Sequence, residues 1–299
     1  MSNDTPLPPE IPQGENPPAG AVIDYYLPAP ASGPVTLEIA DGAGNLVRRF
    51  SSTDTVPPAG APPYFTGAWL PRHPRLDAGA GHHRFVWDLR YPLPPLEAYD
   101  YTIAAIAGQG TVEDPLGPLV LPGGYRVTLG VDGGSLRQSL DVRLDPRVTV
   151  SDTALRAQLG LALAIWNAMG DALALARTAR SVTRQLEALP AGRLDPATAD
   201  TARAVQGRIE RLLEPLDAGD LAGLEDAVTG ADREPTAQDR AAFTELVARL
   251  TRRHAEWDAL VRDLGRLNGR LARRHVAEIV PVVVQPEHVV VPPGLGGRR

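Results

Sequence analysis

The sequence predicts an α+β chain built from an N-terminal all-β sandwich, then an antiparallel long-helix hairpin or three-helix domain, then a short β tail. Three observations predict it. Up to Asp145-Pro146-Arg147 the apolar residues alternate with polar ones, as half-buried strands require. Beyond that point they recur every three and four residues, the period of a buried helix face. The last stretch is rich in valine and proline. The expected boundaries are an extended leader over 1–20, the sandwich over 21–148, the helical bundle over 151–275 and the tail over 276–299.

The leader is polar and proline-rich, which reads as extended chain. Val22-Ile23-Asp24-Tyr25-Tyr26-Leu27 has strand composition, and Val35, Leu37 and Ile39 alternate with Thr36, Glu38 and Ala40. Asp41-Gly42-Ala43-Gly44-Asn45 supplies turn chemistry before Leu46-Val47-Arg48-Arg49-Phe50, so a hairpin is expected there. In Gly81-His82-His83-Arg84-Phe85-Val86-Trp87-Asp88 the aromatic pair Phe85 and Trp87 shares one face, and a mid-strand tryptophan suits the core of a thin sandwich. Tyr125, Val127, Leu129 and Val131 repeat the alternation before a turn at Asp132-Gly133-Gly134 and a return strand from Leu136 to Leu144. This strand plan is immunoglobulin-like. Two inserts rich in Pro and Gly, Ser51 to Gly81 and Pro92 to Pro122, interrupt it, and long loops of this kind often carry binding surfaces.

In the helical part Ser151 or Asp152 caps a helix running to about Leu189, with Leu155, Leu159, Ala162, Trp166, Met169, Leu173 and Ala176 on its seam. Asp195-Pro196 opens a second helix to about Leu216, and Thr236 with Asp239 forms a capping box for a third. That third helix carries Phe243, Leu246, Leu250, Trp257, Leu260, Leu264, Leu267 and Leu271 on one face, which makes it the expected antiparallel partner of the first, with Gly219 to Gly230 alongside. Pro281, Pro286 and Pro292 divide the tail into one or two short edge strands, expected to dock on this chain or on a partner. Phe85, Trp87, Tyr125, Trp166 and Trp257 are the expected structural core.

Composition narrows the chemistry. The chain has 299 residues and no cysteine, and all of its 30 basic residues are arginine. Disulfides, thiolate nucleophiles, Schiff-base lysines and lysine-dependent phosphate loops are thereby removed. No apolar run is expected to span a membrane and no export signal is legible, so the chain as encoded reads as cytoplasmic. The net charge is -6, and residues 1–150 carry ten arginines against sixteen acids, which argues against nucleic acid there. Eight arginines between Arg249 and Arg274 face three acids on the same stretch and read as a solvated, partly paired helix surface.

Gly14-Glu15-Asn16-Pro17-Pro18-Ala19-Gly20-Ala21-Val22-Ile23-Asp24-Tyr25-Tyr26-Leu27, Phe85-Val86-Trp87-Asp88-Leu89-Arg90-Tyr91-Pro92, Gly117-Pro118-Leu119-Val120-Leu121-Pro122-Gly123 and Asp145-Pro146-Arg147 together resemble the C-terminal region of bacterial sortilin-type or glycosyl-hydrolase-like β-propeller proteins. The sandwich is also similar to the immunoglobulin-like domain of flagellar hook-capping proteins. In the first family a propeller precedes the Gly-Glu-Asn-Pro-Pro block. Here thirteen residues do, and no Ser-x-Asp-x-Gly-x-x-Trp box occurs. The resemblance implies a propeller-associated module from a commonly exported family.

His73, Asp77, His82, His83 and Asp88 have metal-ligand residue types, but adjacent histidines on a strand point to opposite faces, so no metal site is expected. Asp88, Glu97 and Asp100 offer carboxylates of the glycosidase kind, without an orienting partner or an oxyanion motif. No catalytic residue, cofactor or membrane contact is therefore expected. Tyr64, Trp69, Tyr99 and Tyr101 in the two inserts are the expected interaction residues. The sequence thus points to a non-catalytic scaffold or interaction module with a protein partner, a propeller domain or neighbouring gene product. The alternative is an accessory part of a glycoside hydrolase whose long loops contact carbohydrate or protein substrate.

Overall fold

The computed structural model describes residues 17–55, 75–97, 99–101, 113–213 and 218–295. The fold is mixed α+β, with antiparallel sheets in the N-terminal part and four α-helices in the C-terminal part. It divides into two compact units, one of residues 1–163, 229–234 and 289–299, the other of 164–228 and 235–288. The division falls inside a helix.

In the first unit β1 (Ala21–Leu27) pairs with β4 (Gly81–Trp87), and a four-stranded sheet has the order β3-β2-β7-β8, with β2 Thr36–Ala40, β3 Leu46–Ser51, β7 Gly123–Val131 and β8 Gly134–Val142. A two-residue pair, β5 (Asp100–Tyr101) with β6 (Glu113–Asp114), completes the strands. The β2–β3 turn forms because the Asp41 carboxylate accepts the Ala43 and Asn45 amides at 2.9 and 2.8 Å. Asp132 and Gly133, with φ of 48° and 80°, make the β7–β8 turn. Asp132 then ties that turn to the loop before β2, accepting from the Ser32 hydroxyl and amide at 2.7 and 2.9 Å.

The alternation places Leu37 and Ile39 of β2, Phe50 of β3, Phe85 and Trp87 of β4, and Tyr125 and Val127 of β7 in one buried cluster. Rings from the two sheets meet there, Phe50 with Phe85 at 4.6 Å and Trp87 with Tyr125 at 5.8 Å between centroids. Burial of this kind stabilises by about 25 cal/mol per Å² of apolar surface removed from water. Leu159 and Leu163 from the start of α1 (Asp152–Glu187) and Leu295 from the tail join the same cluster. Gly160 is required there, because a Cβ would stand 2.1 Å from the Leu295 carbonyl oxygen.

The second unit holds the rest of α1, then α2 (Pro196–Leu213), most of α3 (Ala218–Thr229) and α4 (Ala237–Ala272). Asp195 caps α2 by accepting the Thr198 amide at 2.9 Å, and Thr236 and Asp239 form the reciprocal capping box of α4. His275, with φ of 53°, turns the chain out of α4 while the Val276 amide reaches back to the Leu271 carbonyl. Trp166 and Trp257 are both buried.

Three expectations are corrected. The segment near Gly219 to Gly230 is a helix, so the described residues hold four α-helices. The close antiparallel packing is α2 against α4, Arg270 bonding the Ala197 carbonyl and Thr201 hydroxyl at one end and Arg253 the Arg211 carbonyl at the other. α1 is also long and apolar enough to cross a membrane by length and composition, contrary to the absence expected; 78% of its most apolar window is buried inside the protein.

The tail is the fourth correction. Residues 276–295 contain no strand, and 293–295 form a turn. The amides of Val280, Val282 and Val284 donate instead to Gln185 Oε1, Ser181 Oγ and Thr178 Oγ1 of α1, at 2.9, 2.9 and 3.0 Å. Asn268 exchanges a pair of bonds with the Ile279 backbone, and His288 reaches Asp171 at 2.9 Å. Residues 178 to 185 span about 10 Å of helix, and residues 280 to 284 about 13 Å of extended chain. Alternate amides therefore fall opposite successive polar side chains of α1, and the tail runs antiparallel to that helix. Pro281 falls between donor positions of this ladder, and Pro286, at the next donor position and without an N–H, ends it.

Candidate interaction site

The base of the second insert is fixed by backbone and side-chain bonds. Tyr91 and Val120 amides donate to the Pro118 and Leu89 carbonyls, each at 2.9 Å, and Arg90 reaches the Gly117 carbonyl at 2.8 Å. The Asp88 carboxylate accepts the Arg90 amide at 3.2 Å, the Trp87 indole donates to the Arg90 carbonyl at 3.1 Å, and Leu89 turns the chain with φ of 60°. This is local turn chemistry: an aspartate at the end of a strand bonding its own backbone two residues on.

Arg48 of β3 sits against that turn. Its guanidinium donates to the Tyr91 carbonyl at 2.6 Å and stands 5.0 Å from the Phe50 ring centroid. Burial pulls its pKa down, and the nearby Asp88, Asp54 and Tyr99 oppose that shift. Asp54 is held by the Ser51 amide at 2.6 Å, and the Tyr99 hydroxyl donates to the Pro94 carbonyl at 2.6 Å. Burial likewise raises the Tyr125 hydroxyl to about 12 and drives that of Tyr91 upward. One cation, two exposed acids and a tyrosine thus stand near one another at this turn. Such a set can hold hydroxyl or carboxylate groups of a ligand; its acids are already engaged by the backbone.

Of the residues expected to interact, Tyr99 stands near Arg48. Tyr64 and Trp69 lie outside the described residues, as do the side chains of Tyr101 and Asp100, although their backbones form β5. Glu97 is exposed. Sequence reasoning missed Arg48, which nothing in its local pattern distinguishes from Arg49 beside it.

The histidine group separates as the strand geometry requires. His83 Nε2 lies 2.8 Å from the Gly79 carbonyl oxygen, with the ring against Tyr25, while His82 sits against Tyr26 on the opposite face. His73 is outside the described residues, and among those described no three His, Cys, Asp or Glu side chains converge as metal ligands. On α4, Arg249 pairs with Asp220 at 2.8 Å and Arg266 with Asp263, and just after it Arg274 pairs with Asp195 at 2.8 Å.

On the outer face of β1 and β4, Asp24 and Arg84 form a two-bond ion pair at 2.8 and 2.9 Å, flanked by Tyr26 and His82. Tyr26 is 59% exposed. Below the Pro118–Pro122 segment, a cleft of about 200 Å³ is lined mainly by Leu89, Val120, Val142, Leu155 and Leu159. Compared with family models, with curated proteins and with solved structures, the chain matches none.

Proposed function

We propose that the chain is a non-catalytic scaffold or interaction module of a bacterial propeller-type system, glycosyl-hydrolase-like or sortilin-like, whose β unit is an immunoglobulin-like sandwich. One observation carries the reading. The side chains with the most chemical promise hold the chain itself: Asp88 the Arg90 amide, Asp54 the Ser51 amide, Tyr99 the Pro94 carbonyl, His83 the Gly79 carbonyl. A general acid or base must instead reach a substrate proton. The ring contacts between the two sheets support the sandwich arrangement. The partner is a protein, a propeller domain or the product of a neighbouring gene.

The second reading, contact with carbohydrate as part of a hydrolase system, is favoured by the Arg48, Asp88 and Tyr99 group, which combines a cation, a carboxylate and an aromatic ring near one turn. Co-expression of the tagged chain with the products of its neighbouring genes separates the two. A stoichiometric complex that survives Tyr99→Ala supports the scaffold. No complex, together with saturable glycan binding that Arg48→Ala or Tyr99→Ala removes, replaces it with the second reading.

A further inference from the structure

β8 closes one side of the four-stranded sheet, and among the described residues no strand pairs with its outer edge. Its nine residues are exposed or half-buried throughout, and Leu136 is 72% exposed. Leu136 pairs with Leu129, Gln138 with Val127 and Leu140 with Tyr125. Leu136 therefore projects on the same face as Val127 and Tyr125, which are buried one strand further in.

The direction of the free backbone groups follows from the turn. A two-residue turn with positive φ at Asp132 and Gly133 closes on a hydrogen-bonded pair, Val131 with Gly134. Alternation then turns the amides and carbonyls of Gly134, Leu136, Gln138, Leu140 and Val142 toward β7, and those of Ser135, Arg137, Ser139 and Asp141 outward. The outward set is polar and carries one charge of each sign. Among the described residues Arg137 has no carboxylate partner, and Asp141 receives Arg143 on one oxygen only, both side chains being exposed.

We propose that β8 is the docking edge for a second copy of this chain, the two strands pairing antiparallel about Ser139. In that register the outward groups of Arg137 meet those of Asp141 of the other copy, and Ser139 meets Ser139, so all lie in hydrogen-bonded pairs. Arg137 and Asp141 stand directly opposite, twice by symmetry, and Leu136 falls opposite Val142 on the apolar face. Moving the register to centre on Arg137 sets the two arginines against each other, which cross-strand like charges oppose. The symmetry is that of an isologous dimer. The pairing is small for a stable interface, so the dimer is reversible. This inference does not depend on the propeller reading.

Sedimentation velocity on the full chain over a hundredfold range of concentration tests it. The expected result is a concentration-dependent monomer–dimer equilibrium, shifted to monomer by Arg137→Asp and by Asp141→Arg separately and restored in the double variant. Ser139→Pro, which removes an outward amide and leaves the ladder to β7 intact, should also give monomer with an unchanged circular dichroism spectrum. A wild-type monomer at every concentration overturns the proposal and leaves the edge for a strand of another protein. A dimer indifferent to the single charge reversals, or a double variant that stays monomeric, overturns it as well.

Discussion

Replacing Trp87 with alanine removes the centre of the β core. The indole is fully buried, at 0% exposure, and packs edge-on against Tyr125. Truncating a buried tryptophan typically costs about 3 to 5 kcal/mol through lost transfer energy and the cavity left behind. The Arg90 carbonyl also loses the donor now at 3.1 Å, a loss of about 1 kcal/mol if water does not replace it. For a unit of this size the sum lowers the melting temperature by on the order of 10 °C. Circular dichroism melting at the β-sheet wavelength is the assay, since it does not depend on tryptophan emission. Trp87→Phe keeps most of the packing and loses the hydrogen bond, so it should fall between wild type and Trp87→Ala. Wild-type melting in Trp87→Ala would refute the placement of this side chain at the core.

Three further outcomes are expected. Gly160→Ala forces a methyl group against the Leu295 carbonyl and should destabilise by about 1 to 3 kcal/mol, an effect that disappears when residues 289–299 are deleted. Thr178→Val and Ser181→Ala each remove one side-chain acceptor from the tail and should cost about 1 kcal/mol, with faster hydrogen exchange confined to the Val284 and Val282 amides respectively. Asp145, held at about 2 chiefly by the Arg147 side chain, and Asp132, held below its ordinary value chiefly by the Ser32 hydroxyl, have folded pKa values below the unfolded 3.8. Their stabilisation is present above that value and is lost as the pH falls through the folded values, so melting temperature should decline through this window and Asp132→Asn should weaken the dependence.

Much of the α+β class was legible because periodicity reports burial directly. The α1 seam from Leu155 to Ala176 is buried at every position named, and the Thr236–Asp239 capping box forms as its spacing requires. The α3 helix was missed because Gly219, Gly223 and Gly230 read as loop, although Leu221, Leu224 and Val228 kept helical spacing and are buried. The tail was misread for a different reason. A valine-rich run signals a strand, but which groups accept its amides depends on Thr178, Ser181 and Gln185, about a hundred residues away. Arg48 was invisible for the same cause, since its environment is made by the Asp88 turn and Tyr99 and not by its neighbours in sequence.

The central claim, that the polar residues of the β unit hold the chain instead of performing chemistry, is tested most directly by glycoside turnover. Purified wild-type chain and the Asp88→Ala and Glu97→Ala variants would be incubated with chromogenic glycosides, sialosides included. The account expects no release above buffer from any of the three. Turnover by the wild type that either substitution abolishes would contradict it.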